Sequence, residues 1–288
     1  MSRLLATTAL IATIATGLAL LSPRIGVTHD VAKVVAEVWA VSVLLATGFA
    51  APAGGARRLG WFLGLAALYA VLFSLDVVGL TPALLWFVSL AVLTTGGLVG
   101  GYIGSLLEYP GMLMVVAYVA AFADCFSFFH PNGLTANVLT NPKALALLTV
   151  PFPILGTEYV ASLVGIGDVT FVALFVAGTR ATGLSVIRTA IALAVAMLTV
   201  SVLVELGGAP LPALPFLGGA VVLVHPEARR LPREHTRRIA ANLAVVTLVL
   251  GGLLLSAALA RRSQAQAIPI DVPSPAEPPP AAPGPTPP

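Results

Sequence analysis

ASLVGIGDVTFVALFVAG, residues 161–178, is apolar enough to lie in lipid, yet it carries Asp168 behind a Gly-x-Gly step. A second apolar stretch, GMLMVVAYVAAFADCFSFF at 111–129, carries Asp124. A carboxylate at bilayer depth costs about 2.5–3.5 kcal/mol on insertion scales, so such residues mark function rather than packing. Two of them point to acid/base chemistry inside the membrane.

The surrounding chain fits that setting. Of 288 residues, 58% are hydrophobic and 9% charged, which excludes a soluble domain and makes the chain a polytopic membrane protein. The net charge of +3 is mostly arginine and reflects topology, so no nucleic-acid partner is expected. About 20 apolar residues cross roughly 30 Å of hydrocarbon. The pattern predicts spans near 4–22, 32–52, 60–79, 82–106, 110–129, 158–179, 184–206, 211–225 and 239–260. The expected fold class is all-α, a polytopic membrane helix bundle of about nine transmembrane helices. Its parts are N-terminal scaffold helices at 1–108, a catalytic core at 109–225, a basic loop with the final helix at 226–262, and a Pro/Ala-rich tail at 263–288. The tail has too little apolar surface to fold, and a disordered or polyproline-II extension is expected. The first span has a longer apolar core than a signal peptide and no clean cleavage site, so a retained helix is expected. Thr81-Pro82 reads as a cap followed by a first-turn proline, and the eighth span, starting among prolines, reads as a broken or late-starting helix.

Nine crossings divide the basic residues between two sides. One side receives Arg3, Arg57, Arg58, Arg180, Arg188, Arg229, Arg230, Arg233, Arg237 and Arg238, and the other Arg24, Lys33, Lys143, Arg261 and Arg262. The richer side is expected to be cytoplasmic. The N-terminus is then inside, with the loop between the two aspartates and the C-terminal tail outside. PEARRLPREHTRR, 226–238, reads as a topogenic cytoplasmic loop. An arginine-rich, alanine-rich composition suggests a high-GC prokaryote and its plasma membrane.

Read as helix, Asp124 lies five residues before Phe129, about 7.5 Å from that end, and Asp168 seven residues after Ala161, about 10 Å from the same face. Equal depth on neighbouring antiparallel helices would let them meet. Carboxylates a few ångströms apart share one proton. The ionised member can take a proton from a water held between them while the protonated member polarises a scissile carbonyl. Gly165 and Gly167 would let a second backbone approach the acid and loosen the helix there.

A third element, GGAPLPALPFLGG at 207–219, interrupts the chain with Pro210, Pro212 and Pro215 on the same outer side. It reads either as a segment that holds an extended substrate by strand addition or as a re-entrant turn that ends a loop.

Other ionisable groups have simpler readings. Lys33 and Glu37, at i and i+4, are expected to form an ion pair on one helix. Asp76, Glu108, Glu158 and Glu205 lie near expected helix ends, with Glu158 retained as a water-entry candidate. Cys125 has no histidine in a span core to activate it, since His29, His130, His225 and His235 all fall in loops or at helix ends. Ser105 likewise lacks a histidine partner, and neither a metal nor any other cofactor is expected. The rival reading is a proton- or ion-coupled transporter using the buried carboxylates. Such proteins carry paired broken helices in two halves, whereas the interruptions here concentrate in the second half.

Together, Ala123-Asp124, GIGDVTF at 165–171 and Pro212-Ala213-Leu214 resemble the Gly-x-Gly-Asp intramembrane aspartyl proteases, the presenilin and signal peptide peptidase family. The resemblance covers 110 to about 225. It implies that Asp124 and Asp168 are catalytic, that Gly165 and Gly167 flank the second acid, and that Pro212, Ala213 and Leu214 shape the substrate site. It implies a weaker substrate-holding role for Leu163 and Val164. The implied substrates are transmembrane proteins or remnant signal peptides in the lipid bilayer, and the short loop between the catalytic helices argues for a protease active as one chain without obligatory activating subunits. The chain departs from the family in placing Ala123 where a tyrosine is usual. It also has four expected spans before Asp124 where five are usual, and an additional span after the Pro-Ala-Leu element.

Overall fold

The computed structural model describes residues 1–52, 64–65, 68–69, 71, 82–130, 133–157, 160–208, 210–230 and 233–267. Most of the expected span at 60–79, Asp76, Glu158 and the tail beyond 267 lie outside those residues. The described elements are α1 (Ser2–Leu21), α2 (His29–Ala50), α3 (Pro82–Gly104), α4 (Gly111–Phe129), two short helices α5 (Leu134–Thr140) and α6 (Pro142–Leu148), strands β1 (Thr149–Pro153) and β2 (Val160–Gly165), then α7 (Ile166–Ala181), α8 (Val186–Gly207), α9 (Leu214–Val224) and α10 (Arg233–Ala267). Single 3-10 turns follow α1 at Ser22–Arg24 and α9 at Pro226–Arg229.

Six described helical segments are long and apolar enough to cross a bilayer: Ser2–Arg24, His29–Ala50, Ala83–Gly104, Gly111–Phe129, Val186–Gly207 and Ile239–Ser256. The chain is an integral membrane protein built as a helix bundle. At 16 and 11 residues, α7 and α9 fall short of full spans. The late start expected for the eighth span is seen: helix begins at Leu214, after the prolines at 210 and 212. Part of the basic loop is also helical, because α10 begins at Arg233.

The expected continuous helix at 158–179 is not formed. Its first part is β2, paired antiparallel with β1 from Thr149↔Gly165 to Pro153↔Val160, with an irregularity between Val150 and Pro151. Pro151 and Pro153 exclude helix from β1, and β-branched Val160 and Val164 suit an extended partner. The bundle is therefore not purely helical. The depth reckoning for Asp168 changes too, since a strand rises about 3.3 Å per residue against 1.5 Å in a helix.

Helix α7 is the buried centre. Its residues 172–179 are all buried, and it packs on α2, α3 and α8. Gly96, Gly100 and Gly104 form the α3 side of the α3–α7 seam: a Cβ at Gly100 would stand 2.0 Å from the Thr170 carbonyl oxygen, and one at Gly104 2.4 Å from that of Leu174. Small residues at this spacing let two membrane helices approach backbone to backbone. The Arg180 guanidinium, at the end of α7, donates to the carbonyls of Phe49 and Ala51 at the end of α2. Such donors satisfy carbonyls left open by a finishing helix.

The turn of the β ribbon is fastened to the end of α1. Ser22 Oγ donates to the carbonyls of Ile154 at 2.8 Å and Thr157 at 2.9 Å, and the Gly156 N–H donates to the Ser22 carbonyl at 3.0 Å. On the ribbon's inner face, buried Phe152 stacks on Trp39 of α2 with ring centroids 5.6 Å apart.

Lys33 and Glu37 do not form the expected pair within α2. Lys33 Nζ reaches Glu205 Oε1 on α8 at 2.8 Å, and Glu37 accepts from Ser201 Oγ on the same helix at 2.5 Å. Both side chains join α2 to α8, because the face they share is turned to that neighbour rather than to open lipid.

Candidate active site

Three elements meet around the two aspartates. Helix α4 carries Asp124, α7 carries Asp168, and the segment entering α9 carries Pro212, Ala213 and Leu214. Helix α4 packs along α9 and touches α7. Gly218 makes the α4–α9 approach close, since a Cβ there would lie 2.9 Å from that of Ala117.

Asp168 is the third residue of α7. Its Oδ2 accepts the Gly165 N–H at 3.1 Å, closing the end of the helix where β2 gives way to it. Amide groups in a first helical turn have no partner within the helix, and a carboxylate there also complements the helix dipole. The strand-to-helix switch thus fixes where this acid stands. Gly165 supplies the donor. Gly167 is exposed and has no atom within 4 Å of a Cβ built on it, leaving open space beside Asp168. The second backbone expected against Gly167 is absent among the described residues.

Asp124 lies one turn from the end of α4, half-buried. Its Oδ2 accepts the Leu214 N–H at 3.0 Å, and the Ala213 backbone also hydrogen-bonds to this side chain. These donors come from the N-terminal end of α9, so the Pro-Ala-Leu segment addresses the acid directly through its backbone. The helices that carry the two acids, α4 and α7, touch one another.

Pro212 and Leu214 are buried and Ala213 is half-buried. Val164 is also buried, its backbone register paired with Val150, whereas Leu163 belongs to β2 with a side chain outside the described set. Ala123, beside Asp124 in sequence, is exposed. Among the described residues, no group of three or more His, Cys, Asp and Glu side chains is arranged to hold a metal ion.

Two features escaped the sequence reading. The Gly96, Gly100, Gly104 seam had a readable signal, three glycines at four-residue spacing in an apolar run. His225 had none. It is 1% exposed, at the far end of α9, with Nε2 at 2.8 Å from Thr189 Oγ1. No family model, curated protein or solved structure matches the chain.

Proposed function

We propose that the chain is an intramembrane aspartyl endopeptidase of the Gly-x-Gly-Asp type, with a presenilin-like arrangement of its catalytic helices. The observation that carries this reading is the Leu214 N–H of the Pro-Ala-Leu segment bonded to Asp124, on a helix that touches the one carrying Asp168. Its substrates are transmembrane segments or remnant signal peptides of other proteins. One carboxyl of the pair takes a proton from a shared water, and the other lends its proton to the scissile carbonyl oxygen. The roles exchange as the tetrahedral intermediate collapses and the amine leaves protonated.

A peptide bond must be unwound before this chemistry, because a helix shields its own carbonyls. The described ribbon has two strands, so β2 pairs with β1 on one side and offers its other edge for strand addition by an extended substrate. That edge runs directly into the Gly165–Asp168 turn. Open space at Gly167 and exposed Ala123 give the incoming backbone room beside each acid. The enzyme acts as one chain without a cofactor, in a prokaryotic plasma membrane, with the aspartate side of the bundle outward.

Purified protein in lipid, given a transmembrane reporter peptide, is expected to cut it. Asp124→Ala and Asp168→Ala should each reduce cutting to background while both variants remain folded. Cleavage that survives either substitution would sink the proposal. Proton flux in proteoliposomes without any cleavage would move the assignment to the transporter class.

A further inference from the structure

Helix α9 has 11 residues, about 16 Å, roughly half the hydrocarbon thickness. Bilayer span alone cannot set its height, so contacts at its ends must do so. One end is the Leu214 N–H on Asp124. The other is a buried chain of three side chains: His225 Nε2 lies 2.8 Å from Thr189 Oγ1 on α8, and Thr189 Oγ1 lies 3.0 Å from Thr179 Oγ1 on α7. Thr179 in turn donates to the Phe175 carbonyl at 2.5 Å.

Counting protons gives this chain a direction. The Thr179 proton is committed to Phe175, so the Thr179 oxygen must accept from Thr189. Thr189 has then used its own proton and must accept from His225. One arrangement fills all three contacts, with His225 protonated at Nε2 and donating. A fourth contact, Thr189 Oγ1 to the Ser185 carbonyl, is longer at 3.3 Å.

We propose that His225 is a positioning residue for the Asp124 site: through Thr189 and Thr179 it ties the far end of α9 to α8 and α7, and so sets the reach of the Leu214 amide to Asp124. The consequence for catalysis rests on the protease reading above, whereas the mechanical tie does not.

Charge adds a condition. Burial holds the His225 imidazole below its ordinary value of 6.5, with Glu227 favouring the cation and Arg188 opposing it. A docked state that binds the proton more weakly than the released state is fully favoured above 6.5 and loses that advantage as pH falls through the lower docked value. Acid therefore loosens α9.

The test uses the full chain in lipid nanodiscs, with amide hydrogen exchange over residues 213–217 and reporter kinetics measured side by side. His225→Ala should speed exchange there about fivefold, the factor expected for one buried hydrogen bond, and lower kcat more than it raises KM. His225→Gln presents an amide N–H donor near the same place and should restore both. It should also abolish the extra loosening of the wild type between about pH 7 and pH 5, because glutamine does not titrate in that interval. If His225→Ala does not fold, Thr189→Val carries the same exchange prediction with little change of shape. Wild-type exchange at 213–217 in the alanine or valine variant overturns the proposal, as does an acid response of His225→Gln equal to that of the wild type. Loss of the tie with no cleavage by any protein, wild type included, would refute the protease reading while leaving the positioning role standing.

Discussion

Asp124 and Asp168 are held by different kinds of neighbour, and their removal should not cost the same. Asp168 bonds to the amide that opens its own helix, so Asp168→Ala removes a cap worth about 1 kcal/mol. Asp124 accepts from a different helix, and Asp124→Ala leaves the Leu214 N–H without that partner, at about 1–3 kcal/mol. Asp124→Ala should therefore unfold at lower denaturant than Asp168→Ala, while Asp124→Asn, which keeps an acceptor oxygen, should recover most of the difference. Equal unfolding midpoints for the two alanine variants would contradict this account. Both acids could be read from the sequence because a charge in an apolar run stands out against its neighbours. His225 could not, because a histidine at the end of a short helix looks the same whether water or a buried threonine waits beside it.

Helix α7, which carries Asp168, is seated deeply, and the α3 glycines permit that seat. A methyl group at Gly100 would overlap the Thr170 carbonyl, an atom of backbone that cannot rotate away. Gly100→Ala is expected to destabilise by about 1–3 kcal/mol and to reduce reporter cleavage with it. Gly17→Ala on α1 is the matched control, because nothing lies within 4 Å of a Cβ there and the helix gains about 0.5–1 kcal/mol from losing a glycine. Unfolding of both variants in the same detergent decides the matter, and a Gly100→Ala protein as stable as the control would refute the tight seam. The sequence located most of the described helices because lipid-facing surface demands long apolar runs. It did not disclose β2, since a short apolar strand leading into an apolar helix shows no change of hydrophobicity at the junction. Only Pro151, Pro153 and the glycines around Asp168 marked the change of backbone, and their effect depends on the pairing partner that β1 provides.

The orientation proposed from the arginine bias can be measured directly. In a Cys125→Ser background, Asn137→Cys on α5 and Arg229→Cys after α9 are both exposed positions. A membrane-impermeant maleimide added to intact cells should label the first at once and the second only after permeabilisation. Labelling of both from the same side would break the topology. The bundle as a whole is closed by contacts between remote parts of the sequence, and here the Ser22 fastening matters for biosynthesis. Ser22 and Ile154 are 132 residues apart, so at ribosomal speeds of about 5–20 residues per second the first waits roughly 7–26 s for the second to emerge. Through that interval the nascent N-terminal hairpin sits in the translocon's neighbourhood with its later docking surface uncovered. Insertion factors that shelter half-made membrane proteins should accordingly crosslink most strongly to α1 in translation intermediates stalled before the ribbon is made, and release it once the ribbon has emerged.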